Sequence, residues 1–400
     1  MDKLFMIADD LTGALDAGVA FASAGIRTCV GQDDFFLNRP DAAGCSVQVT
    51  VAQTRHLSGS DAFVTVFDLI RKASQCGFTC IYKKTDSALR GNPGAELGAV
   101  LAASGEKSLC FVPAFPKMNR VTRNGVQYID GTIPVAQSVF GADPFNPVRC
   151  SSVPEILAQT SQVTVHLANP AAADYEDGIF IFDAKTQEDI LQIARHLVSI
   201  GRYRLLAGCA GLAGILPQVL QFPKDARPSD APSGNLAVFC GSINPISLAQ
   251  CQYAVDRGAP QFHLIDKGRY APPSALAVQI AGALTENPIT VFDTGSTEVA
   301  DTDPRQIAGQ VSLIIRETVE QSPGSIPFII GGDTLLAFVQ AMGIQTLVPV
   351  DEIVPGVVLS KYHSGGNWQF LISKSGGFGG RDLLVDIYAK LNPMTKPQEV

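Results

Sequence analysis

Two adjacent carboxylates are the first chemically suggestive feature of this chain. In "IADDLTGALDAG", Asp9 and Asp10 follow directly on the apolar run "LFMIA". Paired carboxylates in that position can take a proton from a hydroxyl or help to hold Mg²⁺. A helix cap through Asp10 or Thr12 is the structural alternative, but capping accounts for one acid and not for two. In "VAQTRHLS", Arg55 offers a planar fork that suits a carboxylate or a phosphate. His56 beside it reads as structural. Residues 83–92, "KKTDSALRGN", crowd three cations (Lys83, Lys84, Arg90), the carboxylate of Asp86 and the hydroxyls of Thr85 and Ser87 into one junction. Such a set could grip a small polyhydroxy anion. Asp86 would accept from hydroxyls, Lys84 would pair with negative charge, and Thr85 and Ser87 would orient hydroxyls. A helix starting at Asp86 or Ser87 is the competing reading, yet a helix N-terminus prefers anions and gives no reason for three cations.

A second kind of signal lies further along. "VFCGSINPIS", "IIGGDTLLAF" and "LISKSGGFGG" each run from an apolar strand through glycine with Ser or Thr into a helical pattern; "FDTGSTEVA" is a weaker fourth. Glycine lets backbone N–H groups approach a phosphate closely, and a helix start adds partial positive charge. None of these matches the P-loop or the Rossmann fingerprint. Ordinary βα turns would also place Gly and Ser there. Several in one region nevertheless point to a nucleotide cradle.

The elements that must position these residues follow a βαβ rhythm. "LFMIA", "IRTCVG", "CSVQVTVA", "FTCIYK", "SLCFVPA" and "GIFIFDA" read as strands, with helices such as "LTGALDAGVAFASAG" and "TQEDILQIARHLVSI" between them. This predicts an α/β fold with mostly parallel sheets, in which ligands bind outside the carboxyl ends of the strands. All the residues above follow strands. The stretch 221–235, "QFPKDARPSDAPSGN", reads as a linker, and a second α/β pattern follows it. Two domains are expected, 1–225 and 235–400, as a length of 400 residues also suggests. The linker could act as a hinge, and closure would exclude water.

Hydrophobic residues make up 46 % and charged residues 17 % of the chain, a globular composition. The net charge of −8 argues against wrapping nucleic acid and makes a local cationic cluster the more informative. Nine scattered cysteines read as buried, reduced thiols in a cytoplasmic protein, and the Cys76/Cys80 spacing lacks the further ligands a metal site needs. No stretch is apolar for long enough to span a membrane. The long segment 113–131, "PAFPKMNRVTRNGVQYIDG", carries Lys117, Asn119, Arg120, Arg123 and Asn124. Its alternatives are a cover over a binding cleft and a homodimer contact.

Taken in order, "IADDLTGALDAG", "KKTDSALRGN", "VPAFPKMNRVTRNGVQYIDG", "NPV" at 146–148, "AGCAGLA", "CGSINPIS", "GGDTLLAF", "EIVPGVVLS" and "KSGGFGGRDLL" resemble the four-carbon acid sugar kinases over nearly the whole chain. The resemblance implies two α/β domains with the active site in the interdomain cleft, the first binding a sugar acid and the second ATP. It implies phosphorylation of the terminal hydroxyl of D-threonate, D-erythronate or a 3-oxo-tetronate, with D-threonate foremost. Carried onto this sequence, Asp9, Arg55, Lys84, Thr85, Asp86 and Ser87 fall on the substrate side. Ser242, Gly331, Gly332, Asp333, Thr334, Gly376 and Gly377 fall on the nucleotide side. Asp9 or Asp10 is the expected proton acceptor, with the other near Mg²⁺, and Arg55 and the lysines are expected to hold the carboxylate. The chain departs from the pattern at Thr54 and Cys209, where serine is usual, at Leu335, where a small residue is usual, and in a "GSINPIS" loop that lacks a Thr near its end. A dehydrogenase or lyase acting on the same acids is the first rival, the dehydrogenase disfavoured by the missing dinucleotide fingerprint, and a non-catalytic nucleotide sensor is the second.

Overall fold

The computed structural model describes residues 3–32, 44–143, 145–225, 232–266, 269–295 and 304–393. The chain forms two compact units, Met1–Ala226 and Arg227–Val400.

In the first unit the main strands are β1 (Leu4–Ala8), β2 (Thr28–Gln32), β3 (Val47–Val51), β4 (Cys80–Lys84) and β5 (Ser108–Val112). A small antiparallel sheet, β6 (Val121–Arg123), β7 (Val126–Ile129) and β8 (Ile133–Pro134), interrupts the series. β9 (Val165–Leu167), β10 (Gly178–Ile181) and β11 (Leu205–Gly208) complete it. The main sheet runs β2-β3-β1-β4-β11-β5-β10-β9, every neighbour parallel. β1, β3, β4 and β5 are buried along their whole length, as strands covered on both faces must be. The helices are α1 (Leu11–Ala22), α2 (Gly59–Gln75), α3 (Pro93–Ser104), α4 (Val153–Ala158), α5 (Gln187–Ser199), α6 (Ala210–Ala213) and α7 (Leu216–Val219). α2 was not among the elements expected. Its stripe of Ala62, Val66, Leu69, Ile70 and Ala73 at helical spacing packs into the core, and Ser58 caps its start. The helix after β4 starts at Pro93, whose missing N–H suits a first helical position, and not at Asp86 or Ser87, the competing reading.

The second unit contains β12 (Leu236–Cys240), β13 (Gln261–Asp266), β14 (Arg269–Tyr270), β15 (Ile289–Gly295), β16 (Ile326–Ile330), β17 (Thr346–Val354), β18 (Val357–Ser364) and β19 (Asn367–Lys374). Its helices are α8 (Pro245–Val255), α9 (Pro273–Glu286), α10 (Pro304–Gln321), α11 (Gly332–Ala341) and α12 (Leu383–Leu391). The strand order is β14-β13-β15-β12-β16-β19-β18-β17. The pairs from β13 to β19 are parallel, whereas β17, β18 and β19 form an antiparallel meander. The linker expected at 221–235 lies partly, at 226–231, outside the described residues. Cys76, Cys110, Cys150, Cys209, Cys240 and Cys251 are free thiols. Among the described residues no helix is long and apolar enough to cross a membrane.

Candidate functional site

In the first unit β1 leads through α1 to β2 on one side, while β4 leads through α3 to β5 on the other. A crevice opens at the carboxyl ends of neighbouring strands where connections part in this way. Ala8 pairs with both Val51 and Lys84, so β1, β3 and β4 end level. Asp9, Arg55 and the 85–92 loop therefore converge.

Arg55 is the hub. Its Nε and Nη2 donate to Asp9 Oδ2 at 2.9 and 2.7 Å, its Nη1 lies 2.6 Å from Asp10 Oδ2, and Nη2 lies 3.6 Å from Asp86 Oδ1. Burial opposes the guanidinium charge, but Asp10, Asp9 and Asp86 together raise its pKa well above the ordinary value. Burial likewise opposes charge on Asp9, and Arg55, Lys83 and Lys84 outweigh it and hold that carboxyl below its ordinary range. The two adjacent acids differ in what they have left over. Asp10 Oδ1 accepts the backbone N–H of Gly13 at 2.6 Å and caps α1, while its Oδ2 faces Arg55. Asp9 is 3 % exposed, and its Oδ1 has no hydrogen-bond partner. Thr85 Oγ1, in a residue 1 % exposed, is also unpartnered. Buried polar atoms are rarely left so. Here one acceptor and one hydroxyl are left over.

Asp86 shapes its own loop. Oδ2 accepts from Ala88 N at 3.1 Å, Arg90 N at 3.3 Å and Arg90 Nε at 3.0 Å, and Oδ1 accepts from Arg90 Nη2 at 2.9 Å. Burial would raise its pKa, but Arg90, Arg55 and Arg120 keep it well below the ordinary value. Leu89 follows with φ of 64°, a left-handed conformation that this hydrogen-bonded turn enforces on a non-glycine residue. Arg90 is held on its other side by Asp143 at 3.2 Å.

Lys83 and Lys84 lie within β4 rather than beyond it, and strand alternation sends them to opposite faces. Lys83 is wholly buried, 3.1 Å from Glu96 Oε2 in the first turn of α3. Thr54, the residue before Arg55, donates its hydroxyl to the other oxygen of Glu96. The threonine that replaces the usual serine thus keeps a working hydroxyl. Glu96 ties the Arg55 turn to the floor of the site, and nothing in its helical setting marked it in advance. Lys84 donates to Thr85 O at 3.0 Å and packs against the glycine of the α1 cap, where a Cβ on Gly13 would lie 2.8 Å from Nζ. Burial lowers its pKa, but Asp9, Asp10 and Asp16 more than reverse this.

Ser87 joins the site to the 113–131 segment. Its hydroxyl accepts from Arg120, and its carbonyl accepts from Gln127 Nε2 at 2.9 Å. The segment folds as β6–β8 and is pinned to its own unit, with Thr122 N on Ala184 O at 3.0 Å and Gln127 N on Ser151 O at 2.9 Å. Cys209 accepts Gly211 N at 3.4 Å at the start of α6, the capping part a serine would play.

The second unit repeats the topological device. β12 leads to β13 on one side, and β16 leads through α11 towards β19 on the other. Three glycine-bearing strand ends meet there. A Cβ on Gly241 would lie 1.9 Å from Thr334 Oγ1, and one on Gly376 would lie 2.6 Å from Ser242 Oγ. Gly241 N donates to Ile330 O at 3.0 Å, and Gly331 N to Lys374 O at 3.1 Å. Gly331 has φ of 115°, open only to glycine. Gly332 and Asp333 begin α11, where Asp333 is exposed and Thr334 buried. Gly377 lies beside Asn244, which caps α8 through Ile246 N at 2.9 Å. Leu335 fills the core behind the turn and is fully buried. In the fourth loop Ser296 and Thr297 lie outside the described residues.

Lys374, at the end of β19, is a further candidate that the glycine pattern did not single out. Its ammonium, wholly buried, donates to Ser375 O and Gly376 O, each at 3.1 Å, and to Ser247 Oγ at 3.3 Å. Burial pulls its pKa down to about 8. The sequence signal was a lone cation ending an apolar strand just before the glycines. Among the described residues no group of three or more His, Cys, Asp or Glu side chains could hold a metal ion.

Comparison with known proteins accords with this division. Residues 4–216 match the family model described as a sugar-binding N-terminal domain, and residues 237–384 match that of a nucleotide-binding C-terminal domain. The chain is 28 % identical over 396 residues to a D-threonate kinase of Bordetella bronchiseptica, covering 95 % of each. It is 26 % identical to a D-erythronate kinase of Heliobacterium modesticaldum (95 % of this chain, 94 % of that one) and 27 % identical to a 3-oxo-tetronate kinase of Pseudomonas fluorescens (94 % of each). A solved structure from Salmonella typhimurium LT2 shares the fold with a TM-score of 0.78 at 21 % identity, over 97 % of this chain and 98 % of that one. With two strand-end constellations in two α/β units, each matched by its own domain family, the chain belongs to the four-carbon acid sugar kinase family.

Proposed function

We propose that this chain transfers the γ-phosphoryl group of ATP to the terminal hydroxyl of a four-carbon sugar acid, with D-threonate the foremost acceptor. D-erythronate, a 3-oxo-tetronate or glycerate are the alternatives. The observation that carries the reading is the pair of buried, unpartnered oxygens, Asp9 Oδ1 and Thr85 Oγ1, beside the Arg55 hub. They offer hydrogen bonding to hydroxyls in a site already rich in cations. Asp9 Oδ1 accepts the proton of the attacking hydroxyl, while Asp10 keeps its capping part. A strongly basic acceptor is unnecessary, because catalysis of phosphoryl transfer is mostly positioning and charge stabilisation. Arg55 holds Asp9, Asp10 and Asp86 in register. Thr85, Ser87 and Lys84 complete the substrate side.

On the nucleotide side, the N–H groups around Ser242, Gly331–Thr334 and Gly376–Gly377 take the phosphates, with Lys374 beneath them. Mg²⁺, when bound, would neutralise the phosphate charge. Asp9 and Asp10 share Arg55, so the exposed carboxylate of Asp333 is the better candidate to face the ion through its waters.

A coupled ADP-release assay across D-threonate, D-erythronate, their L isomers, 3-oxo-tetronates and glycerate tests the proposal. Turnover highest on D-threonate is expected. ATP binding without turnover on any acid would overturn the kinase reading and leave a nucleotide sensor.

A further inference from the structure

Every other arginine at the first unit's site has a counter-ion. Arg55 is shared by Asp9, Asp10 and Asp86, and Arg90 by Asp86 and Asp143. Of the lysines, Lys83 is paired with Glu96, and Lys84 feels Asp9, Asp10 and Asp16. Arg120 differs. Its guanidinium donates to the Ser87 hydroxyl and lies 5.0 Å from the centre of the Phe140 ring, and among the described residues no carboxylate is within ion-pair distance. Arg90 approaches the same ring, at 5.2 Å. Burial opposes the charge on Arg120, which lowers its pKa despite Asp86 nearby.

The placement is fixed by backbone. Arg120 forms an antiparallel bridge with Phe115, N to O at 2.7 and 3.1 Å, and Asn119 at φ of 51° closes the turn between them. Gln127 Nε2 clamps the facing carbonyl of Ser87 at 2.9 Å, and Gln127 is itself fully buried. A rigid, half-buried guanidinium whose hydrogen bond among the described residues goes to one hydroxyl has unused donors, and carboxylate geometry matches them. The hydroxyl-binding atoms Asp9 Oδ1 and Thr85 Oγ1 lie on the same group of strand ends.

We propose that Arg120, held by Ser87 and the β6–β7 hairpin, is the residue that binds the carboxylate of the sugar acid and sets the preference for acids over neutral polyols. This rests on the proposed sugar-acid site and replaces Arg55, whose fork is occupied by aspartates, as the carboxylate partner.

The test is equilibrium binding by calorimetry, without nucleotide, of D-threonate and of the neutral polyol D-threitol, alongside turnover of both. The wild type is expected to favour the acid. Arg120→Ala is expected to weaken acid binding at least 30-fold, about 2 kcal/mol at 1.4 kcal/mol per tenfold, and to leave D-threitol and ATP binding within about threefold. Arg120→Lys, which keeps the charge and loses the fork, should fall between and serves if the alanine variant does not fold. Unchanged acid affinity in either folded variant would overturn the inference, as would equal losses for acid and polyol. Acid bound by the wild type without turnover would overturn the kinase reading and leave this inference standing. No binding of any acid in the panel would overturn both.

Discussion

Asp9→Asn and Asp10→Asn exchange the same atoms in neighbouring residues, and the geometry predicts opposite outcomes. In Asp9, Oδ2 takes the two-pronged bond from Arg55 at 2.9 and 2.7 Å, while Oδ1 is buried and unpartnered. An asparagine must keep its carbonyl towards Arg55, because the guanidinium offers only donors. Its NH₂ group then replaces the free acceptor with a donor. The substrate hydroxyl loses its proton acceptor, a contribution of about 10²–10⁴ in rate, or roughly 3–5 kcal/mol. In Asp10, Oδ1 caps α1 at Gly13 N and Oδ2 meets Arg55. Asparagine caps as well as aspartate, and Arg55 retains Asp9 and Asp86, so kcat should stay within about tenfold of wild type. The assay is steady-state ADP release at saturating ATP and acid, with calorimetric ATP affinity as the control, expected to be unchanged in both. Asp9→Asn retaining a third or more of kcat, or Asp10→Asn falling further than Asp9→Asn, would refute the assignment. Because Arg55, Lys83 and Lys84 hold the Asp9 carboxyl below its ordinary range despite burial, its protonation should produce no acid limb in kcat above about pH 4.

Lys83→Met strands the buried Glu96 charge, and its cost in urea unfolding should be about 3–5 kcal/mol, most of it regained when Glu96→Gln is added; simple additivity of the two would contradict the pairing seen at 3.1 Å. Lys374 titrates near 8 when folded and near 10.4 when unfolded, so the unfolded state holds the extra proton between those values. Its contribution to stability should therefore rise with pH across that window, whereas ATP affinity should fall as pH passes 8. Lys374→Met should raise the KM for ATP, flatten that pH dependence and leave the sugar-acid KM unchanged; a shift in the acid KM instead would place the lysine elsewhere in function. Gly241→Ala puts a methyl 1.9 Å from Thr334 Oγ1, so the turn must open, and the KM for ATP should rise about tenfold or more with little change in acid affinity.

Local rules were enough to read the parallel α/β pattern, the strand ending at Ala8, and the glycine-rich strand ends from the sequence. Buried strands are continuous apolar runs, and binding residues follow them. The competing helix start at Asp86 or Ser87 does not form, because Asp86 spends its carboxylate on a turn with Arg90, and only then does Pro93 open α3. The β17–β18 hairpin went unread although Pro355 and Gly356 form a turn pair between its strands, because the residues of β17 alternate weakly. The composition of the site was legible in one dimension, but the division of labour inside it was not. Which of two adjacent aspartates caps a helix and which keeps a free oxygen, and which of several arginines lacks a counter-ion, depend on contacts such as Arg55 to Asp9, 46 residues apart, and Arg120 to Ser87, 33 residues apart. Charge compensation is settled over a few ångströms in space. The sequence supplied the charged groups, and the packing of β1, β3 and β4 decided which of them neutralise one another and which remain for a ligand.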